Sequence, residues 1–73
     1  MRTDAEILMN LRDQLEDIVR SSDSREVKKA RAVFLKLDTA SALHSNGVSP
    51  EDAEDLMRAV AMDVHAKLIK EAT

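Results

Sequence analysis

Leu43-His44-Ser45-Asn46-Gly47-Val48-Ser49-Pro50-Glu51-Asp52 ends one helix and starts the next within ten residues. Gly47 suits the left-handed position just past a helix end, because it has no Cβ to clash there. Val48 then falls where a hydrophobic residue touches Leu43 in a Schellman motif. Ser49 is a good N-cap and Pro50 a good first helical residue. Glu51 and Asp52 complement the positive end of the new helix dipole. So short a connection predicts that the two helices fold back on each other as an antiparallel hairpin.

Upstream, Thr3-Asp4-Ala5-Glu6 has the form of a capping box. Leu8, Leu11, Leu15 and Ile18 follow at alternating spacings of three and four, and Ile7 and Val19 widen the stripe. Ser21-Ser22-Asp23-Ser24 interrupts this pattern, since these side chains compete for backbone hydrogen bonds. Asp23 with Glu26 restates a helix start, although no glycine or proline forces a full break. The spacing therefore predicts an all-α fold: one domain over residues 1–73, with helices near 4–20, 24–46 and 50–71, in an oligomeric helical bundle. The third helix is expected to bury Ala53, Leu56, Met57, Val60, Val64 and Leu68.

The second helix is apolar on two sides. One stripe holds Val27, Ala30, Val33, Phe34, Leu37 and Ala40, and the other holds Ala32, Leu35, Ala42 and Leu43. The first is the more continuous and is expected to face the other two helices. Leu35 and Leu43 would then lie on the far side, together with Met62 and Ile69 of the third helix. These four are the expected contacts for a protein partner or a second copy of the chain, a homodimer being favoured. Met9 and Met62 lie off the main stripes and add adaptable surface, whereas Met57 is expected in the core.

Composition narrows the function. The chain has 73 residues, no cysteine, and a single aromatic residue, Phe34. A domain this small buries only about 60% of its unfolded surface, so stability must come from helix packing or association. No disulfide or thiolate metal site is available. His44 and His65 would sit near opposite ends of the hairpin and cannot share a metal. His44, continuing the main stripe, is expected to be partly buried near the helix end. No Gly-rich phosphate loop, nucleophile elbow or H-E-x-x-H helix is present, so neither an enzyme nor a cofactor is expected. No apolar run approaches the ~20 residues of a membrane span, and the acidic N-terminus is unlike a secretory signal. A cytoplasmic protein follows, of bacterial or viral type.

A net charge of −3 gives no general attraction for nucleic acid. The helix–turn–helix passage is a poor DNA reader as well. Its second helix opens with Glu51, Asp52, Glu54 and Asp55, which phosphates would repel. Arg25, Lys28, Lys29 and Arg31 form a basic cluster that could contact an anionic surface, with Arg20, Lys67 and Lys70 at the same end. Without aromatic residues for stacking, pairing with Asp13, Glu16 and Asp17 is the simpler role. The expected function is thus a non-enzymatic regulator or adaptor, of the phage, plasmid or secretion-associated accessory kind, working through an apolar helical-hairpin face. A nucleic-acid-associated regulator using the basic end of the second helix is the alternative.

Overall fold

The computed structural model describes residues 2–72. Three helices follow in order: α1 (Asp4–Arg20), α2 (Arg25–Ser45) and α3 (Pro50–Ala72). No strand occurs among the described residues. The helices pack as a bundle of about 37 × 24 × 21 Å.

Local chemistry sets each boundary. The Thr3 hydroxyl accepts from the Glu6 amide at 3.2 Å, and the Glu6 carboxylate reaches back to the Thr3 amide, closing the capping box. α1 stops at Ser21, whose backbone is extended and whose hydroxyl donates to the Ile18 carbonyl at 2.8 Å. The break between α1 and α2 is therefore complete. Ser24, not Asp23, caps α2, accepting from the Val27 amide at 3.3 Å. Asp23 turns instead to Arg31, 2.8 Å away. Asp23 thus serves an ion pair where the Asp23–Glu26 spacing predicted a cap.

The α2–α3 turn is a complete Schellman motif. The Val48 amide donates to the Leu43 carbonyl at 3.0 Å and the Gly47 amide to the His44 carbonyl at 2.9 Å. Gly47 has φ of +87°. Ser49 then caps α3 by accepting from the Asp52 amide at 3.2 Å.

Relative placement follows from a few long-range contacts. Arg12–Asp63, Glu16–Lys67 and Arg20–Glu71 are three ion pairs, each joining residues 51 apart in sequence. Stepping four residues at a time on both helices, they run α1 and α3 in the same direction with one face together. Asn46, at the end of α2, donates to the Arg2 carbonyl (2.7 Å) and to Asp4 Oδ1 (3.0 Å) at the start of α1. Near the start of α2, Lys28 Nζ donates to the Val19 carbonyl at 2.9 Å, satisfying an orphan acceptor of α1's last turn.

The core comprises Ile7, Leu11 and Ile18 of α1, Leu35, Thr39 and Leu43 of α2, and Ala53, Met57, Val60 and Val64 of α3. Leu8, Leu15, Val48 and Leu68 pack on it partly buried. Val19 and Leu56, expected inside, lie at the exposed margins of their faces. Around Gly47 nothing lies within 4 Å of where a Cβ would stand, so the only penalty for a side chain there is backbone conformation. Gly47→Ala is expected to cost about 1 kcal/mol, read as a lower urea midpoint with unchanged helix content by circular dichroism.

Candidate functional site: the outward face of α2

The two faces of α2 lie opposite to their sequence-predicted placement. Leu43 is fully buried and Leu35 is 7% exposed, both inside the bundle. The stripe expected inside points to solvent: Val27, Val33, Phe34 and Leu37 are exposed, Phe34 by 68% and Leu37 by 60%. Only Ala40, at the edge of that stripe, is partly covered. Leu35 and Leu43 are therefore core residues and not partner contacts.

Contacts at both ends of the helix accompany the reversal. Lys28, Ala32, Leu35, Thr39, Leu43 and Asn46 recur at spacings of three and four, with Ala42 beside them, so they share one face. Lys28 reaches the α1 carbonyl, Leu43 sits beside the Schellman turn, and Asn46 reaches Asp4. All three contacts are compatible with this rotation of α2 about its axis. The small residues Ala32 and Ala42 on this face then let neighbouring helices approach closely. Lys28 and Asn46 made this face look polar in sequence, yet both serve the backbone or a cap.

The outward stripe has a regular spacing. Val27, Ala30, Phe34, Leu37, Ser41 and His44 alternate at three and four residues, the a/d pattern of a two-helix seam. His44 is exposed along with the stripe it belongs to, not partly buried. On the flank toward α1, Arg31, Phe34 and Asp38 share a depression with Gln14 and Asp17. On the other side, a cleft of about 220 Å³ opens between α2 and α3, floored by Leu11, Leu15, Leu35 and Met57 and rimmed by Lys36, Glu54 and Arg58.

Met62 and Ile69, the other two expected contacts, are 65% and 52% exposed, and with Ala61, His65 and Ala66 they form a shallow apolar trough on α3. Met9 is exposed and Met57 buried. His65 is exposed in that trough. Among the described residues no group of three or more His, Cys, Asp or Glu side chains is placed to hold a metal ion.

Charged side chains here mostly serve the bundle. Glu16 joins Lys67 at 2.7 Å and Arg20 at 4.0 Å. It does not pair with the α2 cluster, because the α1–α3 seam brings bases closer to it. Lys28 is occupied by the Val19 carbonyl and Arg31 by Asp23, while Arg25 and Lys29 are exposed. Asp4, Asp52 and Asp55 gather around the α2–α3 turn at the other end. No helix is long and apolar enough to cross a membrane among the described residues. No family model, curated protein or solved structure matches the chain.

Two outcomes follow. Leu43→Ala should cost about 2–5 kcal/mol in urea unfolding of a dilute sample, whereas Leu37→Ala should stay within ~0.5 kcal/mol; equal losses would contradict the orientation of α2. The contact from Lys67 holds the Glu16 carboxyl below its ordinary pKa of 4.5, outweighing desolvation. A carboxylate with a lowered folded pKa adds stability above its unfolded pKa and loses it as pH falls through the folded value. Stability should therefore decline on acidification below about pH 4.5, and Glu16→Gln should make that decline shallower in urea titrations at stepped pH.

Proposed function

We propose that this protein is a non-enzymatic regulator or adaptor that works by binding another protein chain through the outward apolar face of α2. The antiparallel α2–α3 hairpin presents that face, and Met62 and Ile69 extend the apolar surface on α3. The observation carrying the reading is the position of Phe34. The chain's only aromatic residue is 68% exposed at the middle of an apolar stripe. Aromatic side chains deliver large contact area at small entropic cost and are enriched at the energetic centres of interfaces.

Single exposed apolar residues are ordinary on protein surfaces. A run of Val27, Val33, Phe34 and Leu37 on one side of one helix is a patch, and patches of that kind mark interaction sites. Each such residue gains about 1.5–3 kcal/mol on full burial, which is large beside the stability of a domain this small. Arg12, Glu16, Arg20, Asp63, Lys67 and Glu71 serve the α1–α3 seam and Lys28 a helix end, which supports binding over catalysis.

The test is a photo-crosslinking amino acid placed at Leu37, in the outward stripe, or at Asp13, an exposed position of α1. In the cell of origin at native abundance, position 37 should give a discrete protein adduct and position 13 should not. Adducts at neither position, or equally at both, would overturn the reading.

A further inference from the structure

Resting on that reading of the α2 face, we infer that its occupant is α2 of a second copy of this chain, paired antiparallel about a twofold axis between Phe34 and Leu37. The stripe is complementary to itself in that orientation. Phe34 falls opposite the second copy's Leu37, Ala30 opposite its Ser41, and Val27 opposite its His44. Large side chains fill the central layers and small ones the layers beside them, so the helices can close on the Phe34–Leu37 contacts. An antiparallel seam pairs a positions with d positions in this way, and its flanks meet like with like.

Charge complementarity fixes the direction. Arg31 and Asp38 are one heptad apart on the same flank of the stripe and line the same depression beside Phe34. In the antiparallel pair Arg31 of each copy faces Asp38 of the other, giving two symmetric ion pairs. Asp17 of α1 lines that depression too, so the arriving guanidinium meets two carboxylates. Arg31 keeps its intrachain contact with Asp23, because a guanidinium has five donors to share. The opposite flank carries Val33 and Ala40, which face each other as apolar residues and widen the seam. A parallel pair would set Asp38 against Val33 and stack the two basic helix starts, Arg25, Lys28 and Lys29, side by side.

Size is adequate as well. A stable interface takes about 800 Å² from each partner, roughly 15% of this chain's 5412 Å². One outward side of a three-helix bundle supplies an area of that order.

Sedimentation equilibrium of the full chain up to about 0.1 mM should give a dimer. Phe34→Asp should give a monomer with unchanged helical circular dichroism. Asp38→Arg should weaken dimerisation about tenfold, since it removes two exposed pairs at once, and adding Arg31→Asp should recover part of that loss, Asp17 and Asp23 keeping the recovery incomplete. If the double variant is no stronger than Asp38→Arg alone, the antiparallel register is wrong. The chain has no cysteine, so a mixture of Ala30→Cys and Ser41→Cys chains should oxidise to the mixed disulfide. Crosslinking of Ala30→Cys to itself alone would instead show a parallel pair and overturn the inference. A monomer at the highest concentration also overturns it. If the crosslinker at Leu37 then still captures a different protein, the interaction face stands with another occupant; if it captures nothing, both readings fall.

Discussion

The rotation of α2 about its own axis is the constraint on which the rest of this molecule depends. α2 has two apolar sides, and either could in principle meet α1 and α3. Contacts at both helix ends accompany the face that is buried. At one end Leu43 is drawn in beside Val48 by the Schellman hydrogen bonds, and Asn46 ties the turn to Asp4 and the Arg2 carbonyl. At the other, Lys28 satisfies the Val19 carbonyl. A backbone group left unsatisfied is costly only where it is buried, and the Val19 and Arg2 carbonyls are at exposed positions. The polar contacts at the ends therefore agree with the rotation of α2, while burial of Leu35 and Leu43 supplies its stability.

The α1–α3 seam plays a different part. Its ion pairs are exposed on at least one partner, and pairs of that kind contribute little each. Their value lies in direction and register. Three pairs stepping by four on both helices are satisfied together in one parallel alignment, and a slip of one helix by a residue would break all three. The apolar contacts of Leu11, Met57 and Val64 supply attraction, and the ladder selects among the alignments that attraction allows.

Most of the fold was legible in the sequence. The Thr3 and Ser49 caps, the positive φ at Gly47, and most of the core stripes of α1 and α3 follow from local rules and appear in the structure, whereas the α2 cap is Ser24 and not Asp23. The orientation of α2 was not legible from periodicity. A count of apolar residues favours Val27, Val33, Phe34 and Leu37 over a face interrupted by Lys28, Thr39 and Asn46. Periodicity reports that a face is apolar and is silent on whether the chain or a partner covers it. The deciding signal was the turn itself: a Schellman motif that brings Val48 onto Leu43 already places Leu43 inside. Met62 and Ile69 escaped this difficulty because α3 has a single strong core stripe and they lie away from it.

Packing gives a reason for leaving the larger side chains outside. A face of Ala32, Ala42 and Thr39 lets helices approach closely around Leu35 and Leu43, which suits a core built from three short helices. Phe34 and Leu37 are bulkier than Ala32 and Ala42 and turned inward would need more room between the helices, and overfilling a core is costly. The small face therefore packs better within one chain, while the large face has more to gain from a second surface shaped to receive it. A single helix thus carries tight packing on one side and an exposed apolar stripe on the other. An exposed apolar stripe carries a cost in solubility unless something covers it, and this is the physical ground on which the proposed binding role rests.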